Sequence, residues 1–164
     1  MSGTRRRSYE SGHKPKYLVV VDESVECDKA IVFAARRASR IGGGLVMLAV
    51  ADGADFHHWL GVGDIMKEEA EDAAQKLLEK AAVRSREIAG VDPEKVVRSG
   101  VKAEQIATLI NEDEDIAFLV LAASADSDGP GPLVSLLAST TGTFPVPVVI
   151  VPGDMTDAEI SALA

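Results

Sequence analysis

The chain has 164 residues, of which 46% are hydrophobic and only 4% aromatic, and its formal net charge is -9. This length suits one domain with a sizeable core, and the acidic balance repels phosphate backbones and so excludes nucleic-acid binding by the domain. No apolar run approaches the roughly 20 residues that a membrane span needs, and no apolar stretch follows the charged N-terminus as a signal peptide requires.

The charge is unevenly spread. Residues 1–16 carry five basic side chains against one acidic side chain, a sum of +4, which leaves about -13 for the remainder. Polar termini are commonly poorly ordered, so we predict a flexible basic tail over residues 1–16. The single cysteine, Cys27, excludes an internal disulfide and fits a reducing, cytoplasmic compartment.

The first elements are predicted to be a strand, a helix and a second strand. Residues 16–22 contain four consecutive apolar residues bounded by charge, which indicates a buried strand. From Cys27 to Ile41 apolar residues recur at helical spacing; Ser24 can cap this helix, and the glycines at 42–44 end it. Residues 45–50 are predicted to form a second buried strand.

A loop at residues 51–63 precedes a long helix over residues 64–89. The loop contains His57, His58 and Trp59, which lack the ligand spacing of a zinc site and are expected to cover the pocket or to face a partner. The apolar stripe of the helix is predicted at Met66, Ala70, Ala73, Leu77, Ala81 and Ile88.

The second half of the chain alternates in the same way. Residues 94–99 form a short polar strand, expected at a sheet edge, and residues 103–111 form a helix. Residues 116–123 are the most apolar run in the chain and should be a central strand. The inward positions of that helix are Ile106, Leu109 and Ile110.

The last predicted elements are weaker. Residues 124–132 are a loop rich in Gly, Pro, Ser and Asp, followed by a weak helix over residues 133–141. Residues 146–151 are the last strand, and Pro145 and Pro147 indicate an edge position or a bulge. Residues 154–164 are expected to be a tail or a short extra helix. Alternating strands and helices predict an α/β fold with a parallel sheet.

In such sheets, ligands bind beyond the carboxyl ends of the strands, where the winding reverses. This rule points to Asp22, Val50 and the loop after Ala123. The Asp22 carboxylate could accept hydrogen bonds from ribose hydroxyls or an adenine amine, or coordinate a cation. Alternatively, it caps the following helix in an Asp-x-Ser turn.

The loop at residues 124–132 is a poor phosphate cradle. Such a cradle needs free backbone N–H donors, but Pro130 and Pro132 have none. Asp126 and Asp128 repel phosphate unless a cation lies between them, and the sequence leaves open whether they hold one. The alternative is a surface turn that leads into a helix with Pro132 near its first position.

No catalytic constellation is present in the sequence. Ser135 and the neighbouring hydroxyl residues lack a placed histidine, and there is no Gly-x-Ser-x-Gly elbow. A phosphoacceptor domain of similar topology needs an aspartate at the end of its third strand, where Arg98 and Ser99 stand. We therefore predict a protein that is not an enzyme, and we assign no metal-ligating residues.

Several segments together resemble the universal stress protein family. Val19–Ser24, Gly43–Val50, Gly100–Ile106 and Phe144–Val151 carry the resemblance, which covers about residues 17–152. The resemblance implies a five-stranded parallel sheet in the order 3-2-1-4-5 with helices on both faces, the adenine nucleotide alpha hydrolase-like fold. It also implies a homodimer that pairs through the last strand. Some members of the family bind ATP through Gly-x2-Gly-x9-Gly-Ser/Thr after the fourth strand, and others do not.

Carried over residue by residue, the resemblance divides the site into two sides. On the adenosine side it assigns pocket roles to Val20, Val21, Asp22 and Val50. On the phosphate side it leaves Ala123, Gly129, Gly131 and Ser135. Val134 stands where the family has a glycine, and its branched side chain blocks close backbone approach to a phosphate. The loop is also shorter than in the ATP-binding members.

Two functions follow as expectations. The first is a cytoplasmic, homodimeric stress-response protein that acts by binding unknown protein partners, with weak or no ATP binding. The alternative is an adenine-nucleotide-binding regulatory module for ATP or AMP. AMP requires fewer phosphate contacts from the altered loop than ATP does. The dimer contact is expected at Val146 to Val151, the domain at residues 17–152 and a C-terminal tail at residues 153–164. Neither nucleic acid nor a membrane is an expected partner.

Overall fold

Five parallel strands form one sheet in the computed structural model, which describes residues 3–52 and 63–164. The strands are β1 (Lys16–Val20), β2 (Gly44–Asp52), β3 (Glu94–Gly100), β4 (Ile116–Ala123) and β5 (Val148–Pro152). The helices are α1 (Cys27–Ile41), α2 (Gly63–Ala89), α3 (Lys102–Glu112), α4 (Pro132–Ala138) and α5 (Asp157–Leu163). The strand order is β3-β2-β1-β4-β5 with every pair parallel, which confirms the expected fold.

Both faces of the sheet are buried because helices cover each of them. Successive side chains of β1 point to opposite faces, so Val19 packs with α1 and α2, whereas Leu18 and Val20 pack with α3 and α4. The continuous apolar run of this strand is the pattern that burial on both faces requires. Complete burial of a side chain such as Leu18 stabilises the fold by roughly 1.5–3 kcal/mol.

Helix α1 has the predicted bounds but not the predicted cap. It ends at Gly42, whose φ of 65° suits glycine. The Ser24 hydroxyl donates to the Asp22 carboxylate instead of capping the helix, and Glu26 occupies the N-cap position without a side-chain hydrogen bond to the helix. The prediction for Ser24 was wrong because a charged carboxylate two residues away is the stronger acceptor.

The apolar stripe of α2 is confirmed at Ala81, and the predicted Leu77 and Ile88 are partly buried against the same core, but the other buried positions differ from the prediction. The buried residues are Ala74, Leu78, Ala81, Ala82 and Ser85. Ala73, which the prediction places inward, is exposed. Alanines on both sides of the helix make its periodicity ambiguous, and packing against α1 and β2 selects the face. The buried Ser85 hydroxyl is satisfied by the carbonyls of Ala82 and Val91.

The elements after β4 are shorter than predicted. Helix α4 stops before the expected end at residue 141, and a short 3-10 turn follows at Thr141–Thr143. Strand β5 begins at Val148 rather than at residue 146, because Pro147 has no N–H to donate. Only the Pro147 carbonyl joins the ladder, accepting from the Leu119 N–H at 3.0 Å. The edge positions of β3 and β5 are confirmed.

The loop after β2 is only partly described. Strand β2 extends to Asp52, beyond the predicted end at Val50. His57, His58 and Trp59, which the sequence assigns to a cover over the pocket or a partner surface, lie outside the described residues. Among the residues that are described, no helix is long and apolar enough to cross a bilayer.

The leading segment contacts the domain, although the sequence predicts a flexible tail over residues 1–16. Arg6 Nη1 donates to the carbonyls of Ile110 at 2.7 Å and Asp113 at 3.0 Å, at the end of α3. A cation suits this place because the last carbonyls of a helix lack partners and carry its negative dipole end. Ser8 is buried beside them.

The C-terminal residues 154–164 also pack against the domain. Of the two alternatives for residues 154–164, the structure shows the short extra helix, α5. Its Ile160 is fully buried against α1. Arg84 of α2 approaches Asp157 to 2.9 Å, and this contact lowers the pKa of the Asp157 carboxyl.

Candidate functional site

A cavity of about 220 Å³ opens beyond the carboxyl ends of β1 and β4, where the winding of the sheet reverses. We call it the strand-end cavity. The starts of α1 and α4 close its sides, and its apolar wall includes Val20, Ala30, Leu121, Leu133 and Val134. The sheet topology places a ligand site here, and the volume is below the roughly 300–1,000 Å³ of most ligand pockets.

Asp22 lies at the mouth of this cavity and also closes a local turn. Its Oδ1 accepts from the Ser24 backbone N–H at 2.9 Å and from the Ser24 hydroxyl at 2.5 Å. The Asp-x-Ser turn considered from the sequence is therefore present, but Asp22 does not cap α1, whose N-cap residue is Glu26. Within the described part of the chain, Oδ2 accepts no hydrogen bond, so one oxygen of the carboxylate holds the turn and the other stays available to a ligand.

Cys27 forms part of the cavity wall and is chemically quiet. Its side chain is buried, and Sγ lies 3.6 Å from the Val20 carbonyl oxygen. Burial raises the pKa of this thiol to about 12, so the thiol is neutral at physiological pH. A neutral, buried thiol is a poor nucleophile, and Cys27 acts here as a small apolar residue.

The charged side chains of the strand-end cavity are mostly acidic. Asp22, Glu23 and Glu26 line it, and Lys102 is the only cation that does so among the residues described. Lys102 is the first residue of α3 and forms no ion pair within the described ranges. One amine is therefore the available partner for an anionic ligand.

A second cavity of about 460 Å³ adjoins the first on the side of the loop. We call it the loop cavity. Its lining residues are Glu26, Ser124, Asp126, Asp128, Gly129, Gly131, Pro132 and Ser135. Three of them are acidic and, within the part of the chain described, none is Lys or Arg. The loop cavity therefore repels anions.

The backbone of the loop uses its own N–H donors. The Ser124 N–H donates to the Pro130 carbonyl at 3.0 Å, and the Gly129 N–H to the Asp126 carbonyl at 3.3 Å. The Asp126 N–H donates to the Ser124 hydroxyl at 3.2 Å. Gly129 and Gly131 both have φ of 104°, a conformation that glycine adopts without strain. Gly129 thus shapes a self-bonded turn, and its N–H is not directed at a ligand.

Glu26 lines both cavities and was not foreseen from the sequence. A Cβ added at Gly131 would lie 3.8 Å from Glu26 Oε1, and one added at Gly153 would lie 3.0 Å from Glu26 Cβ. The available signal was its place four residues after Asp22, directly before the first residue of α1. Lys102 was missed in the same way, because a lysine at a helix start reads as a solvated charge.

The structure brings some of the predicted site residues together and separates others. Val20, Asp22 and Gly131 line the strand-end cavity, and Gly129, Gly131 and Ser135 line the loop cavity. Val21 faces the other side of the sheet, because neighbouring strand residues alternate. Val50 and Ala123 line neither cavity and pack on the face covered by α3 and α4.

The described residues contain no group of three or more His, Cys, Asp or Glu that could hold a metal ion. Asp126 and Asp128 share the loop cavity with Glu26, but the three carboxylates do not converge as ligands do. Their effect on a ligand is therefore through charge.

Residues 15–152 match the model of the Universal stress protein family. The universal stress protein UspA from Lactobacillus plantarum has 19% identity and a TM-score of 0.69, covering 84% of this chain and 97% of that chain. A universal stress protein in complex with cAMP has 17% identity and a TM-score of 0.59, covering 85% and 98%. The universal stress protein from Archaeoglobus fulgidus in complex with dAMP has 17% identity and a TM-score of 0.56, covering 84% and 96%. At these identities the likeness is one of fold, and no curated protein sequence matches the chain.

Proposed function

This chain belongs to the universal stress protein family, and from that premise we propose that it is a stress-response protein that acts by binding rather than by catalysis and has weak or no affinity for ATP. The observation that carries the proposal is the acidic lining of the loop cavity. In ATP-binding members, the family resemblance puts the phosphates at the corresponding loop. Here Glu26, Asp126 and Asp128 line it.

Coulomb repulsion between these carboxylates and the phosphates of ATP is the physical reason for the weak affinity. Two like charges about 4 Å apart repel by roughly 1 kcal/mol in bulk water and roughly 4 kcal/mol at the effective dielectric typical of protein surfaces. A triphosphate would meet three carboxylates without a compensating Lys or Arg among the described lining residues. Tight ATP binding therefore requires attractive contacts that the loop does not offer.

The hydrogen bonds of the loop support the same conclusion. Phosphate-binding loops direct free backbone N–H groups at the ligand. The N–H groups of Ser124, Asp126 and Gly129 are engaged within the loop, and the two prolines contribute none. Charge and donor supply thus both disfavour a polyphosphate.

The second candidate function is an adenine-nucleotide-binding module, and one observation favours AMP over ATP as its ligand. Lys102, the single described cation of the strand-end cavity, can meet one phosphate but not three. The free Oδ2 of Asp22 can accept from ribose hydroxyls, and the apolar wall suits a base. Related structures hold cAMP and dAMP.

Mass spectrometry and calorimetry separate the two candidates. The purified protein is heat-denatured and the released small molecules are identified, while ATP and AMP are titrated into the native protein. We expect no stoichiometric nucleotide and no saturable ATP binding at micromolar concentration. Stoichiometric ATP, or micromolar ATP binding that is lost in Asp22→Ala, contradicts the proposal; AMP in place of ATP establishes the alternative.

We further propose a cytoplasmic homodimer that pairs through Val146 to Val151, with residues 17–152 as the functional domain. Strand β5 lies at a sheet edge, and an edge strand has main-chain groups free for pairing. Ile150 is 43% exposed on it. Light scattering should give twice the 17.3 kDa of one chain, and a monomer at micromolar concentration would remove the claim.

A further inference from the structure

Glu26 lies at the boundary between the two cavities. It lines both of them, as do Gly131 and Pro132. Its side chain forms no hydrogen bond or ion pair within the described residues and is only half-buried, so it is not committed to the fold. A ligand that fills the strand-end cavity and extends toward the loop cavity must pass this carboxylate.

The charge along that route is consistently negative. Beyond Glu26, the loop cavity presents Asp126 and Asp128, and Lys102 lines only the strand-end cavity. A negatively charged substituent becomes less favourable as it moves outward, and a positively charged one becomes more favourable. The gradient acts on the part of the ligand that emerges from the strand-end cavity, not on the part inside it.

From this gradient we infer that the strand-end cavity takes an adenosine whose 5′ substituent is neutral or positively charged, and that Glu26 is the residue that selects against a 5′ phosphate. The base lies against the apolar wall, the ribose hydroxyls donate to Asp22, and the 5′ position faces Glu26. The inference rests on the proposed function, since it concerns the same cavity, and it adds the chemical class of the ligand.

Four probes that differ at the 5′ position test the inference by calorimetry on the native full-length protein: adenosine, 5′-amino-5′-deoxyadenosine, AMP and ATP. We expect the amine to bind at least about tenfold more tightly than AMP, with adenosine between them and ATP weakest. The differences in affinity among the four probes should become smaller at high salt, because exposed charges are screened. AMP binding as tight as the amine, or no binding of adenosine and the amine, overturns the inference.

Glu26→Gln and Glu23→Gln form a matched pair of variants. Each removes one carboxylate from the strand-end cavity, but only Glu26 also lines the loop cavity. Glu26→Gln should reduce the ratio of amine to AMP affinity by about fivefold or more, and Glu23→Gln by no more than about twofold. Equal effects of the two substitutions contradict the role of Glu26.

The same titrations keep the two proposals apart. Absence of nucleoside binding overturns the inference and leaves the weak affinity for ATP intact. Micromolar ATP binding overturns the proposed function, whatever the amine does. Circular dichroism of both variants verifies that they are folded, so that loss of the calorimetric binding signal reports loss of binding.

Discussion

The strand-end cavity and the loop cavity share a wall but are built from different kinds of structure. Val20 and Leu121 of the strand-end cavity belong to strands buried on both faces. The loop cavity is lined mainly by residues 124–131, which carry no strand or helix. Loop residues can change without disturbing a core, so the chemistry of the loop can diverge while the strand ends keep their geometry.

The two regions also differ in what they offer a ligand. The strand-end cavity has an apolar wall, a carboxylate oxygen without a partner in the described residues and one unpaired amine. The loop cavity has three acidic residues and a backbone whose Ser124, Asp126 and Gly129 N–H groups are engaged within the loop. Our proposal is that the strand-end cavity has features suited to a nucleoside, whereas the loop cavity lacks those suited to phosphates. Four predictions test this comparison.

The largest effect is expected at Val134 of α4, which lines the strand-end cavity. This side chain is 8% exposed and packs with Leu137 and the α3 side of the core. Val134→Gly should lower the free energy of unfolding by about 3 kcal/mol, because a buried side chain is lost and glycine weakens a helix. Urea denaturation measures this free energy of unfolding. Leu136→Ala is the control, because the Leu136 side chain is 51% exposed.

Val134→Gly also separates steric from electrostatic exclusion of ATP. The substitution supplies the glycine that the family resemblance places at this position, but it leaves the carboxylates of the loop cavity unchanged. We expect no gain in ATP affinity. A gain would locate the obstruction in the side chain of Val134 rather than in the charge.

The second prediction tests whether water is excluded from the Cys27 thiol in the wall of the strand-end cavity. Burial raises the pKa of this thiol to about 12, whereas the unfolded thiol titrates near 8.5. Because the pKa of the thiol is higher in the folded protein than in the unfolded chain, the neutral thiol contributes fully to folding stability below about pH 8.5. That contribution is lost as the pH rises toward the pKa of the folded protein. Between pH 7 and 10 the protein should lose roughly 1–2 kcal/mol more stability than Cys27→Ala. Identical losses would mean that the thiol is solvated.

The third prediction concerns the two roles of Asp22. Asp22→Ala should lower the free energy of unfolding by about 1.5 kcal/mol, because both Ser24 hydrogen bonds disappear. It should also abolish nucleoside binding. Ser24→Ala keeps the carboxylate and one of the two bonds, so it should be milder and should retain binding. If Ser24→Ala abolishes binding as well, the turn rather than the carboxylate is what matters.

The smallest effect is expected in the loop. Gly129 has φ of 104° and open space where a Cβ would lie, so Gly129→Ala meets only backbone strain, about 1 kcal/mol. Gly142 has equal space and no positive φ, and Gly142→Ala should change stability by less than about 0.5 kcal/mol. Thermal unfolding of both variants makes the comparison, and equal shifts would argue against the self-bonded turn.

The sequence predicts those parts of the molecule in which the local pattern and the burial agree. The bounds of α1 and β4, and the inward face of α3 at Ile106, Leu109 and Ile110, follow from apolar spacing alone. The stripe of α2 follows only in part, because alanines such as Ala73 and Ala74 are equally apolar and tertiary packing decides between them. The strand order came from the family resemblance, since apolar spacing carries no information about which strands are neighbours.

The candidate site could be predicted in part for the same reason. Asp22 stands out because a charged residue ends a buried strand. Glu26 and Lys102 do not, because a charge near a helix start is usually solvated, and their shared cavity arises from elements 76 positions apart in the chain. Arg6 was missed because its partners are backbone carbonyls, which leave no trace in the residue pattern.

The most direct test of the central claim, that the charge of the loop cavity excludes phosphates, is an ATP titration of the Asp126→Asn/Asp128→Asn variant without divalent cations. Glu68→Gln/Asp72→Asn, on the exposed side of α2, removes the same charge far from the cavity. We expect ATP affinity to rise at least about tenfold in the loop variant and to stay at the native value in the α2 variant. Equal affinity in all three proteins would contradict this claim.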